Sequence, residues 1–172
     1  MPIEPDTKDW TWVLERRCEE CGTDAAVHSP VTVPDVLREA TVRWQQVLAR
    51  SEVATRPDDA TWSPLEYAAH VRDVCAVFVE RLNLMLTEDH ATFADWDQDA
   101  AAVDGAYRDQ DPQQVATELT AAAATAAQAF GRVPREQWER SGLRSDGSPF
   151  TVRTLSQYFC HDVLHHLHDV GG

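Results

Sequence analysis

The sequence predicts an all-α fold, a four-helix bundle preceded by an irregular N-terminal arm. Two observations lead to this fold class. Four segments carry apolar residues at three- and four-residue spacing, each after a recognisable start signal, and convincing strand alternation is absent. With 172 residues, the chain fits one domain that can bury a sizeable core.

The first two predicted helices have proline in their first turn. The first runs from about Pro34 to Arg50, and its apolar residues form one stripe. The second begins after Ser63, whose hydroxyl can cap the helix while Glu66 completes a capping box. Its apolar pattern continues to about Glu88.

The last two predicted helices complete the bundle. The third starts at Asp111 with the same capping logic and runs through an alanine-rich stretch to about Phe130. Alanine favours a helix and permits the close approach of a neighbour. The fourth spans roughly Val152 to Val170, between a threonine that can cap it and Gly171 beyond its end.

The connections define the predicted domain organisation. Loops rich in Pro, Gly and Asp cover residues 56–62, 90–111 and 141–150, and the long second loop suits a crossover in the bundle. Residues 1–30 carry tryptophans and cysteines without sustained periodicity. We therefore predict an arm, residues 1–30, that packs through its tryptophans on a four-helix domain, residues 31–172.

Charge and composition narrow the classes of partner. The net charge of −14 disfavours nucleic acid and anionic membranes, because such partners need Lys and Arg to neutralise phosphates. No stretch is apolar enough for a membrane span, and the N-terminus lacks the basic and apolar regions of a secretory signal. Four cysteines without such a signal fit a reducing compartment. We expect a cytoplasmic protein; the sequence leaves the oligomeric state open, a homodimer included.

The histidines suggest a metal site. His161 and His165 lie four residues apart, so both rings project from one helix face and can reach one ion. His70 on the second helix could add a third ligand, which would leave open positions for water or substrate. The alternatives are two solvated histidines and a satisfied core residue. His168 also shares that face, whereas His166 points about 100° away from it and is the poorer candidate.

Acidic residues near these histidines are candidates for orienting their rings. Glu66 and Asp73 flank His70 by about one helical turn on either side, and Asp162 directly follows a candidate ligand. The alternative roles are a capping residue for Glu66 and a surface acid for Asp73. The sequence does not distinguish these roles, and it assigns no catalytic residue.

The cysteines allow several interpretations. Cys18 and Cys21, followed by His28, could form half of a zinc site, but the second cysteine pair of a closed four-Cys centre is missing. A redox pair would normally occur in a strand–helix context, which the arm lacks. Cys75 and Cys160 lie on predicted helices and are expected to be small buried apolar residues.

Two segments resemble motifs of the DinB-like superfamily. Residues 61–70, TWSPLEYAAH, resemble its entry to helix two, and residues 161–166, HDVLHH, resemble its C-terminal histidine motif. The resemblance covers about residues 34–170, with four helices in the right order. It implies a four-helix bundle with a three-histidine metal site and does not explain the cysteine-bearing arm.

The resemblance also implies ligands and a chemistry. By this resemblance, His70, His161 and His165 are the expected metal ligands. The expected metal is zinc, with nickel as the alternative. The superfamily includes transferases and isomerases that use mycothiol or bacillithiol, such as mycothiol-dependent maleylpyruvate isomerase. The expected function is therefore that of a metal-dependent S-transferase or isomerase, in which a low-molecular-weight thiol attacks an electrophilic substrate. A metal-dependent hydrolase and a non-catalytic metal-binding or interaction module are the alternatives.

Overall fold

Helices account for most of the chain in the computed structural model, which describes Ile3 and residues 8–172. The helices are α1 (Val33–Leu48), α2 (Pro64–Thr87), α3 (Gln98–Asp104), α4 (Pro112–Gly131) and α5 (Val152–Asp169). The four predicted helices correspond to α1, α2, α4 and α5, and their ends differ by at most two residues from those predicted. The short helix α3 was not predicted and lies within the long second loop.

Three short strands correct the prediction of a strictly all-α chain. They are β1 (Ala91–Phe93), β2 (Ser141–Arg144) and β3 (Pro149–Thr151). β2 pairs with β1 in parallel and with β3 in antiparallel orientation. Strands of three or four residues are too short to show a clear alternation of apolar and polar residues in the sequence.

Side-chain caps fix the starts of the helices that carry the site. The hydroxyl of Ser63 accepts a hydrogen bond from the backbone N–H of Glu66 at 3.3 Å, and the Glu66 carboxylate accepts one from Ser63 at 2.9 Å. This is the predicted capping box. Thr151 ends β3 and caps α5 through the backbone N–H of Thr154, so the sheet sets where α5 begins.

Helix packing does not follow the order of the helices in the chain. Both α4 and α5 pack against α1 and α2, which requires a crossover of the kind that the long second loop suggested. Aromatic rings lie in the mainly aliphatic core between them. The ring of Phe159 lies 4.8 Å from that of Phe78 and 5.4 Å from that of Phe130, and Trp44 is fully buried. Aromatic burial of this kind stabilises the bundle on which the site is built.

The described part of the N-terminal arm lies against α5. Two short 3₁₀ turns, Thr11–Leu14 and Ala25–Val27, both contact this helix. The side-chain amide of Gln157 on α5 donates hydrogen bonds to the carbonyls of Ala26 and His28, at 3.4 and 3.2 Å. The arm is therefore held next to the helix that carries most of the histidines.

Part of the predicted arm is not covered. Residues 1, 2 and 4–7 lie outside the described residues, and the division of the chain at residue 30 stays a prediction. Among the helices that the structure describes, none is long and apolar enough to cross a membrane.

Candidate metal centres

Two clusters of potential metal ligands lie side by side on α5. Consecutive residues of a helix differ by about 100° in direction, so residues 161 and 165 share one face while 162 and 166 share the next. The face with residues 161 and 165 is directed towards the N-terminal arm, and the face with residues 162 and 166 is directed towards α2. The ligand atoms of each cluster lie within 4.8 Å of one another. We name them the His70 cluster (His70, Asp162, His166) and the Cys–His cluster (Cys18, Cys21, His161, His165).

The His70 cluster contains buried polar atoms that lack partners. Nε2 of His70 lies 4.0 Å and Nε2 of His166 lies 3.7 Å from Oδ1 of Asp162, too far for hydrogen bonds. Both ring nitrogens of His70 and Oδ1 of Asp162 are buried without a hydrogen-bond partner among the described residues. An unsatisfied buried polar atom costs about 1–3 kcal/mol, so this arrangement fits a bound cation.

The electrostatics of the cluster agree with this assignment. Burial, and secondarily the nearby His166, lowers the pKa of His70 well below its usual value, which keeps its ring neutral and able to coordinate. Burial raises the pKa of Asp162, although His166 and Arg81 partly offset that effect. A divalent cation would stabilise the ionised form of this carboxylate.

Neighbouring side chains orient the two histidines. Oδ2 of Asp169 lies 3.0 Å from Nδ1 of His166, which directs the other ring nitrogen towards Asp162. The ring of Trp96 stacks on that of His70 with 5.3 Å between centroids and 13° between planes. A carboxylate behind a metal-ligating histidine fixes the ring and raises its basicity. Two histidines and one carboxylate would also leave coordination positions open.

Two cavities meet at this cluster. One of about 500 Å³ is lined by His70, Trp96, Tyr158 and Asp162, among others. A second of about 340 Å³ shares Tyr158 and Asp162 and extends to His166. Volumes of this size accommodate small molecules. Burial and the nearby Asp162 raise the pKa of Tyr158, despite an opposing hydrogen bond from Arg144, so its hydroxyl stays protonated at neutral pH.

The match to a known family covers the helical bundle and leaves out the arm that carries Cys18 and Cys21. The model of the DinB superfamily matches residues 35–170. The chain belongs to the DinB superfamily. YfiT from Bacillus subtilis has a similar fold, with a TM-score of 0.70 and 20% identity over 81% of this chain and 82% of that one. It is described as "a probable metal-dependent hydrolase with an unusual four-helix bundle topology". No curated protein matches the chain.

The DinB resemblance predicted one three-histidine site, and the structure does not bring those three residues together. His70 groups with Asp162 and His166, whereas His161 and His165 face the cysteines of the arm. The physical reason is that consecutive residues of α5 point about 100° apart. The packing of the helix therefore decides whether residues 161 and 165 or residues 162 and 166 face α2. The signal for the alternative pair was present, because Asp162 and His166 have the same four-residue spacing.

The remaining acidic candidates have other partners. Glu66 caps α2 and accepts hydrogen bonds from the guanidinium of Arg56, one of them at 2.9 Å. Asp73 accepts hydrogen bonds from Arg72 at 2.7 Å and from the hydroxyl of Tyr107. Neither acid has a hydrogen bond with His70 among the described contacts, so Glu66 is a capping residue and Asp73 part of a polar network.

The other predictions about single residues have clear outcomes. His168 is exposed and belongs to neither cluster. Cys75 and Cys160 are buried, and burial raises the pKa of each thiol to about 12. These two thiols are therefore poor nucleophiles, in agreement with the prediction that they are small core residues. Tyr158 was missed, although it precedes Asp162 by four residues and therefore lies on the same face of α5.

Proposed function

We propose that this DinB protein is a metal-dependent enzyme whose divalent metal is held by His70, Asp162 and His166. The proposal rests on one observation. Both ring nitrogens of His70 and Oδ1 of Asp162 are buried without a hydrogen-bond partner among the described residues, and they lie beside two cavities. A metal bound there would supply Lewis acidity, which lowers the pKa of a thiol or of water. The donor set suits zinc, with nickel as the alternative.

The reaction that we propose is S-transfer from a low-molecular-weight thiol of the mycothiol type to an electrophilic substrate. Two cavities that share Asp162 give room for two small molecules, as a transfer requires. In the transfer, the thiol gives up its proton to solvent, its sulfur forms a bond to the electrophilic carbon, and the bond from that carbon to its leaving group breaks, so that the leaving group departs with the electron pair. In an isomerisation, the same sulfur would add to the substrate and leave again.

The chain's own residues have definable roles in this reaction. Tyr158 lines both cavities as a neutral phenol and can donate a hydrogen bond to negative charge that develops on the electrophile. Trp96 lines the larger cavity against His70 and excludes water from that side. Asp169 holds the ring of His166 in position.

A conjugation assay tests the proposal. Wild type, His70→Ala and His168→Ala are loaded with zinc or nickel and incubated with monochlorobimane and mycothiol, bacillithiol, glutathione or cysteine. We expect the wild type and the exposed-histidine control to form a fluorescent conjugate with at least one thiol, and His70→Ala to form none above background. Absence of conjugation with every thiol by the metal-loaded wild type would refute the S-transferase assignment.

A metal-dependent hydrolase at the same site is the second candidate. It is favoured by the fold shared with YfiT, which is described as a probable metal-dependent hydrolase. The same three variants are therefore assayed with ester and amide substrates. Hydrolysis that depends on His70, without any thiol conjugation, would support this candidate. Metal binding with neither activity would instead indicate a binding module.

A further inference from the structure

The Cys–His cluster joins two parts of the chain that are far apart in sequence. Its cysteines have two residues between them in the arm, and its histidines have three residues between them on α5. These are the spacings of Cys₂His₂ zinc sites. Sγ of Cys18 lies 3.8 Å from Nδ1 of His165. In a tetrahedral zinc site, the ligand atoms lie about 3.3–3.8 Å apart, given the usual bond lengths.

The two histidines of this cluster are prepared for coordination. Nε2 of His161 is buried and has no hydrogen-bond partner in the described part of the chain. Nδ1 of His165 faces Cys18, while its Nε2 lies 3.6 Å from a carboxylate oxygen of Glu20 and 3.6 Å from one of Asp169. A ring that presents one nitrogen to the ligand centre and the other to a carboxylate is the usual arrangement at a metal.

The loop between the cysteines turns both side chains towards α5. The carbonyl of Cys18 accepts a hydrogen bond from the N–H of Gly22 at 2.9 Å, and the N–H of Cys18 donates one to the carbonyl of Thr23 at 2.9 Å. Gly22 has a φ of +75°, which a residue with a side chain rarely adopts, and this conformation closes the turn. The loop therefore requires glycine directly after the second cysteine.

Three of the four side chains are buried and Cys21 is half-buried. Cys18 is fully buried, and His161 and His165 are 3% and 6% exposed. The ring of Trp10 covers both histidines, with its centroid 5.9 Å from that of His161 and 4.8 Å from that of His165. Four protein ligands leave no coordination position for water or substrate, which is typical of structural zinc rather than of a catalytic centre.

We propose that Cys18, Cys21, His161 and His165 bind a structural zinc ion that fastens the N-terminal arm to α5. Two thiolates and two neutral imidazoles neutralise Zn²⁺, and binding releases the two thiol protons. Because Trp10 lines both cavities beside the His70 cluster, this zinc also holds one wall of the proposed active site. This zinc would have no chemical role in the reaction proposed above.

Metal stoichiometry tests the proposal. Protein produced with zinc is freed of excess metal, and zinc and thiols are counted per chain. We expect two zinc ions in the wild type, one in Cys18→Ser, one in His70→Ala and two in the buried-cysteine control Cys75→Ala. Two zinc ions in Cys18→Ser would overturn the assignment of the structural site, whereas two zinc ions in His70→Ala would refute only the assignment of the proposed active site. Loss of all zinc in both variants would indicate one shared ion and overturn the proposal.

Spectroscopy keeps the test valid if Cys18→Ser does not fold. Cobalt bound to His70→Ala should show the intense visible bands of a tetrahedral site and a thiolate-to-cobalt charge-transfer band. Cys21→His should keep its cobalt but lose about half of the charge-transfer intensity, because one sulfur ligand remains. Absence of the charge-transfer band, or two thiols per chain instead of four because Cys18 and Cys21 form a disulfide, would overturn the proposal.

Proteolysis tests the fastening role. Arg16 and Arg17 are exposed trypsin sites within the arm, directly before the first cysteine ligand. Removal of the zinc by Cys18→Ser should accelerate cleavage at these two sites by tenfold or more, as roughly expected from a loss of local stability above 1.4 kcal/mol. Cleavage at an unchanged rate in a variant that lacks the second zinc would refute the fastening role.

Discussion

Replacement of His70 by leucine should have opposite effects on stability in the absence and in the presence of metal. His70 is 1% exposed, and neither ring nitrogen has a hydrogen-bond partner within the described structure. Leucine has a similar volume and no polar atom to bury. Without metal, His70→Leu should therefore be more stable than the wild type; with metal, it should be less stable.

The magnitude follows from the two unsatisfied atoms. A neutral imidazole has one donor and one acceptor, and each costs about 1–3 kcal/mol when it is buried without a partner. The lower bound, about 2 kcal/mol, corresponds to a rise in Tm of roughly 4–8 °C for a chain of this length. Zinc at about 1,000 times its Kd would stabilise the wild type by about 4 kcal/mol, which reverses the order.

Thermal unfolding of both proteins, with excess chelator and with excess zinc, measures the effect. Because the variant retains the Cys–His cluster, any contribution of a zinc ion there is the same in both proteins. His168→Leu is the matched control, since this histidine is exposed and should change Tm little in either condition. A His70→Leu variant less stable than the wild type in chelator would show that the His70 nitrogens are satisfied without metal, and the argument for the centre would fail.

Three further predictions concern neighbouring residues. Asp169→Asn should weaken metal binding at the His70 cluster about 10–100-fold in competition with a chromophoric chelator, because it removes the carboxylate that holds the ring of His166; unchanged affinity would contradict this role. Tyr158→Phe should lower kcat of thiol conjugation at least tenfold, on the order expected for a lost hydrogen-bond donor, without a change in metal content; an unchanged kcat would exclude the hydroxyl from the reaction. Burial raises the pKa of Glu66, but hydrogen bonds from Arg56 and Ser63 outweigh this effect and the pKa is lowered. The stability that Glu66 contributes is therefore present above its unfolded-state pKa and is lost as the pH falls through the folded-state pKa. Urea unfolding at successive pH values should show this loss in the wild type and not in Glu66→Gln, and parallel curves would contradict it.

The sequence predicted those parts of the fold that depend on local interactions. The capping box at Ser63 and the apolar periodicity gave the start and the extent of α2 to within one residue of its observed end. The strands could not be found in this way, because β1 and β2 come together across about fifty residues of chain and are only three and four residues long. Their pairing depends on contacts that no local pattern records.

The candidate site shows the same division. Spacing alone identified histidines on one face of α5, and the resemblance to DinB motifs added His70 to them. The sequence does not show which pair faces α2, residues 161 and 165 or residues 162 and 166, because the two residues of each pair have the same four-residue spacing. A rotation of about 100° separates the alternatives, and only helix packing sets it.

The sequence by itself determined the helices, the acidic character of the chain and the family motifs, since these depend on composition and on residues close together along the chain. Tertiary structure decided how the ligands are grouped. It paired Asp162 and His166 with His70, and it placed the cysteines of the arm against His161 and His165. The physical reason is that a metal site is defined by distances between atoms on different segments, which are fixed only when the segments pack together.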